Sequence, residues 1–334
     1  MCKCLPADVI TQALRRQARN MCCGIAAFCL LVVGPSSTTL AQMYSDDLLA
    51  AKIARIKGNL YDTIKIDIPA NAPPALRAAA ARVVPDLRDR NLEIIDFLHE
   101  GSVVPVGADS LQFIDDLSTV AAWLSRRGCA EMLLFSYIVH HATPNVTIKD
   151  PISAFGLDRE AVLRDGYVQR VSDKFYNSAI WFLLAHEVGH VALGHVGPAN
   201  REQEDEADAF AIEVMRNKRL MPAGISLYMM TISLYDRTIA ARTHATGGER
   251  LHRIAASLRK SPADFVAQVG QEQQVRDTAR VLSIATDLDR FGRVMNEIRD
   301  SEQRLVSLGA DITEVYRESV LKEADYASAC PASP

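Results

Sequence analysis

Residues 175–211 read FYNSAIWFLLAHEVGHVALGHVGPANREQEDEADAFA and contain the motif that decides the fold, an H-E-x-x-H at residues 186–190. In a helix with about 100° of rotation per residue, His186 and His190 are about 40° apart and one turn apart along the axis. Both imidazoles can therefore reach one metal ion. Glu187 lies one step round the helix, where its carboxylate can face a water on that ion without binding the ion itself.

The apolar run before the motif supports this interpretation. Residues 175–184 include enough large apolar side chains to bury a helix over most of its circumference. A polar motif that continues such a helix costs free energy unless it has a partner. A metal ion would be that partner.

A tetrahedral catalytic zinc site needs a third protein ligand besides the two histidines. On a continuing helix His195 is about half a turn out of phase with His186, so we expect it to point away from the ion. The metzincin spacing would place Gly at position 193 and His at position 196, where this chain has Leu193 and Val196. Gly194 is better explained as the end of the helix.

A better third ligand lies in the acidic run at residues 202–208, which follows a Gly197-Pro198 break and should open a second helix. Glu204 and Asp208 lie on one face of that helix, four residues apart. We predict that Glu204 is the third ligand and that Asp208 accepts the second ring N–H of a ligating histidine. Three small residues would let the two helices approach closely: Ala207, Ala209 and Ala211.

The residues in this region resemble the gluzincin metallopeptidases, especially the HtpX-like peptidases. The segments HEVGHVALGH and EDEAD resemble that family's H-E-x-x-H-x-x-x-x-H and E-x-x-A-D patterns. Residues 243–254 resemble its T-H-P-x-x-x-x-R-x-x-R-I segment, with Ala245 where the family usually has proline. The short gap between His190 and Glu204 is similar to that of the ImmA/IrrE and Lit-type peptidases, our second choice.

The resemblance implies a zinc-dependent endopeptidase with a zincin-like catalytic domain. It implies that Zn²⁺ is held by His186, His190 and Glu204, and that Glu187 is the general base. The resemblance further implies that His244 stabilises the oxyanion. Arg250 and Arg253 of the same segment are weaker candidates for that role. For all three residues, the alternative is that they form a structural hydrogen-bond network.

The N-terminal 41 residues have the pattern of a secretory signal, with basic residues before an apolar stretch at residues 21–33 and small residues up to Ala41. The apolar stretch is short for a bilayer span, which favours a cleaved signal over a retained anchor that would give membrane association. We therefore expect an exported protein of the periplasm or cell envelope. Five of the seven cysteines lie in this segment; Cys129 and Cys330 do not, and either pair or remain separate thiols.

Composition favours a globular protein and gives no reason to expect nucleic-acid binding. The chain has 334 residues, 49% of them hydrophobic, and a formal net charge of −4. We predict a mainly α fold (α+β with a small sheet) that has a helical C-terminal cap. The predicted divisions are a signal peptide at 1–41, an N-terminal part at 42–170, the zincin core at 171–260 and a C-terminal helical region at 261–334.

Several elements can be predicted from periodicity. A short strand is expected at 64–68, and Val103 to Val106 form an edge strand because Pro105 cannot donate to a central ladder. The predicted helices are 110–126, 131–141, 222–239 and most of 263–329. In the last of these, apolar residues recur every three to four positions and should form its buried face: Val275, Leu282, Leu288, Phe291, Val294 and Ile298.

Three functions remain open from the sequence. The first is a zinc-dependent endopeptidase that hydrolyses polypeptide substrates, with proteins of the cell envelope as the expected class. The second is a zinc-binding chaperone or sensor built on a peptidase fold without turnover. The third is a structural protein in which the H-E-x-x-H is a coincidental helix face.

Overall fold

The structure, a computed structural model, is mainly helical with a small sheet. It describes residues 43–54, 72–88, 102–129, 132–141, 149–195, 200–235, 247–268, 270–309 and 323–330. The predicted strand at 64–68 and the candidate His244 lie outside these ranges. Within them, no helix has both the length and the apolarity that crossing a membrane requires.

The described elements confirm the predicted fold class. Strands β1 (Val84–Arg88) and β2 (Val103–Gly107) pair in parallel, with Val84 opposite Val103. Residues 46–54 are helical. The helices after them are α1 (Pro74–Ala80), α2 (Ala108–Arg127), α3 (Met132–His141), α4 (Pro151–Ala154), α5 (Arg159–Arg164), α6 (Gly166–Leu193), α7 (Arg201–Lys218), α8 (Ile225–Tyr235), α9 (Gly247–Lys260), α10 (Gln271–Ser307) and α11 (Glu323–Ala329), with a 3₁₀ turn at Pro262–Phe265.

Helix α6 is the central element of the core. It packs against α2 and α7 and also contacts α1, α5 and α8. Its N-terminus is capped by Asp165, whose carboxylate accepts hydrogen bonds from the backbone N–H groups of Tyr167 and Val168. Phe182 and Leu183 are fully buried one turn before the H-E-x-x-H motif. Their burial fixes the rotation of α6 and therefore the direction in which the motif faces.

A close backbone approach fixes α8 against α6. The backbone N–H of Gly224 donates to Ser178 Oγ at 2.5 Å. A Cβ atom at Gly224 would lie only 1.9 Å from the carbonyl oxygen of Phe175. Only glycine fits at this position, and α8 begins directly after it.

The C-terminal helices depart in part from the predicted pattern. Leu288 and Phe291 of α10 are buried, whereas Val275 and Leu282 are 64% and 41% exposed, so the predicted apolar face was wrong at its N-terminal end. Helix α10 has 37 residues and its main packing partner α9 has 14, so α9 covers only part of it. The predicted division of the chain at residues 170 and 260 stays a prediction.

The two cysteines outside the N-terminal segment form a disulfide. Cys129, just after α2, is bonded to Cys330, just after α11. Tyr326 of α11 is fully buried and its hydroxyl donates to the carbonyl oxygen of Ser136. The disulfide and this tyrosine fix the C-terminal segment to the body of the protein.

Candidate metal centre

The site forms where α6 and α7 pack closely against each other. A Cβ atom at Gly189 would lie 3.1 Å from Phe210 Cδ1 and 3.3 Å from the Cα atom of Ala207. The absence of a side chain at Gly189 therefore lets α7 lie against the H-E-x-x-H turn. Ala207 and Ala211 are fully buried in this contact, as predicted, but Ala209 is exposed because it lies on the opposite face of α7.

The start of α7 is fixed by local capping. Asn200 accepts hydrogen bonds from the backbone N–H groups of Glu202 and Gln203, and the Gln203 side chain accepts from the backbone N–H of Asn200. This capping box sets the register of the helix. As a result, Glu204 and Asp208 point into the contact with α6, where both are buried.

Potential ligand atoms of three residues converge between the two helices. The Nε2 atoms of His186 and His190 are 3.1 Å apart. Glu204 Oε2 lies 3.4 Å from His186 Nε2, and Glu204 Oε1 lies 3.5 Å from His190 Nε2. All three side chains are buried, and together they could hold a metal ion.

The spacing of these atoms fits a tetrahedral ion. Zinc binds histidine nitrogen and carboxylate oxygen at about 2.0–2.2 Å, which places neighbouring ligand atoms about 3.3 Å apart at the tetrahedral angle. The observed separations of 3.1, 3.4 and 3.5 Å bracket this distance, with the 3.4 and 3.5 Å contacts made by different oxygens of Glu204. The donor set of two imidazoles and one carboxylate is also one that zinc uses in catalytic sites.

Asp208 and Arg250 lie next to the potential ligands. Asp208 Oδ1 lies 3.0 Å from His186 Nδ1, although the contact does not have hydrogen-bond geometry. Arg250 of α9 donates to both oxygens of Asp208, and its Nη1 lies 3.2 Å from Glu204 Oε2. Arg250 is itself buried, so its charge acts in a site with little solvent screening. It thus holds the two acidic residues of α7 in place.

The pKa values report an excess of negative charge. Burial alone would lower the pKa of His186, but its contacts with Asp208 and Glu204 outweigh burial and raise that pKa to about 9. Burial would raise the pKa of Glu204, but the two histidines and Arg250 hold it well below its usual range. Burial lowers the pKa of His190. A site that attracts a proton in this way also attracts a cation, because both bind the same lone pair of His186 Nε2.

Glu187 is 8% exposed and lies between the two histidines on α6. Tyr228 of α8, which sequence reasoning did not single out, packs on Phe182 with a centroid distance of 5.8 Å. Burial raises the pKa of Tyr228 well above 10, and the negative charge of Glu187 adds to this rise. The tyrosine hydroxyl is therefore within electrostatic reach of Glu187.

The candidates for the oxyanion role have separate outcomes. His244 lies outside the described residues. Arg250 is engaged by Asp208 and Glu204, and Arg253 forms an ion pair with Asp205. The structural network that was the alternative for these arginines is thus present in the structure.

His195 does not join the converging ligands, as predicted, but it contacts one of them. Helix α6 ends at Gly194, as the sequence indicated, and the φ of this glycine is +75°. The chain turns back there, and His195 Nδ1 lies 2.9 Å from Nδ1 of His190. His195 Nε2 in turn lies 2.9 Å from Glu206 Oε2. His195 is thus not among the three converging ligands but touches one of them from behind.

Comparison with known protein families supports the interpretation of this protein as a peptidase. Residues 149–270 match the family described as Peptidase U49. The matched region includes α6, α7 and α9, which carry all the residues of the site. The match supports a peptidase, which is a hydrolase that acts on polypeptides. No curated protein and no solved structure matches the chain.

Proposed function

We propose that this protein is a zinc-dependent endopeptidase of the gluzincin type. The observation that carries the proposal is the convergence of His186, His190 and Glu204 at separations of 3.1–3.5 Å, with the buried Glu187 beside them. The match to a peptidase family over the same helices supports it independently. The resemblance to the HtpX-like peptidases motivates the choice of type.

Each residue of the site has a part in the proposed reaction. His186, His190 and Glu204 would hold Zn²⁺, which when bound polarises the scissile carbonyl and lowers the pKa of a coordinated water. Glu187 takes a proton from the attacking water and returns it to the leaving amine. Asp208, with Arg250 behind it, holds the ring of His186 in the orientation that directs Nε2 inward.

The charge of the site favours a divalent cation. Glu204 and Asp208 are buried carboxylates that contact the guanidinium of Arg250, and Glu187 is buried on α6. Buried charge is costly unless it is paired or coordinates a metal, and Zn²⁺ bound among these carboxylates would lower that cost.

We further propose that the protein is exported and acts on polypeptides of the cell envelope, including membrane-associated ones. The N-terminal signal pattern supports export. The Cys129–Cys330 disulfide also supports it, because disulfides persist in oxidising compartments.

The test is digestion of casein and of a peptide library by purified protein, with and without a chelator. We expect cleavage that the chelator abolishes and that added Zn²⁺ restores. Glu187→Gln is the matched variant, since it keeps the shape of the side chain and should retain stoichiometric zinc while losing turnover. Activity that persists in Glu187→Gln would contradict the base assignment. Stoichiometric zinc without cleavage of any substrate would favour the zinc-binding chaperone or sensor instead.

A further inference from the structure

The position of His195 follows from the way α6 ends. The backbone N–H of His195 donates to the carbonyl oxygen of His190 at 3.0 Å, and that of Gly194 donates to Val191 at 3.2 Å. These two hydrogen bonds define a Schellman motif with Gly194 in the left-handed position. In this motif the residue after the glycine packs against the residue five positions before it in the chain. Here those two residues are both histidines, His195 and His190.

The contacts form a chain from the helix surface to the site. His190 Nε2 faces His186 and Glu204, and its other nitrogen, Nδ1, lies 2.9 Å from Nδ1 of His195. His195 Nε2 then lies 2.9 Å from a carboxylate oxygen of Glu206. The side chain of His195 is 8% exposed and that of Glu206 is 54% exposed. This series of contacts therefore begins at the exposed carboxylate of Glu206 and ends at the buried ligand atom of His190.

The chemistry of a metal ligand fixes the position of every ring proton in this series of contacts. If Nε2 of His190 binds a metal, its lone pair must be free, so the proton of the neutral ring is on Nδ1. That N–H donates to His195, whose Nδ1 must then accept. The proton of His195 is consequently on Nε2, where it donates to the carboxylate of Glu206, which only accepts. All three groups are satisfied with one arrangement of protons.

We propose that His195 and Glu206 are positioning residues that hold His190 in its metal-binding tautomer and ring orientation, and thereby set the affinity of the site for Zn²⁺. The proposal rests on the proposed function, since it takes His190 as a ligand. It assigns to His190 the support that Asp208 gives to His186. The two proposed ligands are thus held by different partners. His186 is held by the buried ion pair of Asp208 and Arg250, and His190 is held by the partly exposed pair of His195 and Glu206.

The experiment measures the affinity of the purified apoprotein for Zn²⁺ by competition with a chelator of known affinity. His195→Leu should weaken binding by about 10- to 100-fold, the usual effect of losing such a support. Glu206→Ala should weaken it less, and in the His195→Leu background should have no further effect, because Glu206 acts only through His195. The matched control is Glu202→Ala, an exposed glutamate of the same helix, which should bind as the wild type does.

A conservative variant separates positioning from general damage to the fold. In His195→Asn the amide oxygen can occupy the position of Nδ1 and accept from His190, so we expect most of the affinity to return. The thermal midpoints of the apoproteins should agree among these variants within a few degrees. A His195→Asn protein as weak as His195→Leu would overturn the proposal.

The tautomer of His195 provides a spectroscopic readout. In zinc-loaded protein with ¹⁵N-labelled histidine, the ring of His195 should carry its proton on Nε2 alone, with assignment by comparison with His195→Asn. A proton on Nδ1 of His195 would overturn the proposal, as would an unchanged zinc affinity in His195→Leu, and both results would leave the proposed function intact. A wild-type protein that binds no zinc would overturn both. One that binds zinc without cleaving peptides would overturn the activity alone, and the affinity measurements would still decide the role of His195.

Discussion

The guanidinium of Arg250 binds both carboxylate oxygens of Asp208, with Nε–Oδ2 at 2.8 Å and Nη2–Oδ1 at 2.7 Å. This pair joins α9 to α7 in the interior, and it lies directly behind the proposed ligand His186. An arginine far along the chain is therefore part of the same charged cluster as the H-E-x-x-H motif. Its removal should affect folding before it affects chemistry.

We expect Arg250→Met to lower the free energy of unfolding of the apoprotein by about 3–5 kcal/mol, because it leaves Asp208 and Glu204 buried without their cation. Denaturant unfolding in the presence of a chelator measures this. Arg253→Met on the same helix is the control, since Arg253 and its partner Asp205 are 37% and 32% exposed. That variant should lose less than about 1 kcal/mol. Equal losses in the two variants would contradict the role given to Arg250.

Gly189→Ala should weaken both folding and metal binding. The new Cβ would lie 3.1–3.3 Å from atoms of Phe210 and Ala207, so α7 must move away by a few tenths of an ångström and carry Glu204 with it. Overpacking of this kind costs about 1–3 kcal/mol. Chelator competition and thermal unfolding measure the two effects.

The control for Gly189→Ala is Gly270→Ala. No heavy atom lies within 4 Å of a Cβ at Gly270, and its φ of −51° suits any L-residue. That variant should keep the zinc affinity of the wild type; because Gly270 is the N-cap of α10, where alanine is less favourable than glycine, we expect only a small loss of stability. A Gly189→Ala protein with unchanged zinc affinity would show that the helix spacing is not critical for the site.

The buried Asp116 predicts a pH dependence of stability away from the site. Burial raises the pKa of Asp116 to about 6, and hydrogen bonds from Arg159 oppose that rise without cancelling it. An unfolded aspartate has a pKa of about 4, so between pH 4 and 6 the folded state binds more protons than the unfolded state. Stability from this group is therefore lost as the pH rises through that window.

We expect the stability of the wild type relative to Asp116→Asn to fall by up to about 3 kcal/mol between pH 4 and pH 7, since asparagine does not titrate. Urea unfolding at a series of pH values measures the difference. A constant difference for Asp116→Asn would exclude a raised pKa.

Reduction of the Cys129–Cys330 disulfide should lower the free energy of unfolding by about 2–4 kcal/mol, because the bond restricts the unfolded chain across a separation of 201 residues. Unfolding curves with and without reductant measure the loss. The Cys129→Ser, Cys330→Ser double variant should match the reduced protein and show no response to reductant. An intact mass that does not change on reduction would show that the bond is absent.

The contiguous stretch at residues 175–211 was sufficient to predict the local parts of the site. Helical periodicity alone places His186 and His190 on one face of a helix, and the break before residue 202 predicts a second helix that carries Glu204 and Asp208. These inferences depend on interactions within a few turns of chain. The mainly α class with a small sheet follows from patterns of the same short range.

The tertiary structure decided the contacts between residues that are far apart in sequence, and the contacts made where the chain turns back on itself. Gly189 has no role in helix periodicity, and its importance appears only when Phe210 lies over it. Arg250 reaches Asp208 because α9 packs on α7, which no local pattern encodes. The sequence indicated that the helix ends at Gly194 and that His195 is not a ligand, but only the folded turn shows His195 in contact with His190.

The physical reason for this division is the range of the forces involved. Backbone geometry and capping act between residues close in sequence, so the sequence by itself determined the two helices and the ligand types on each. Packing, burial and ion pairing act between residues close only in space. They decided how near the helices lie, which acidic residues are buried with a cation, and which histidine lies behind a ligand.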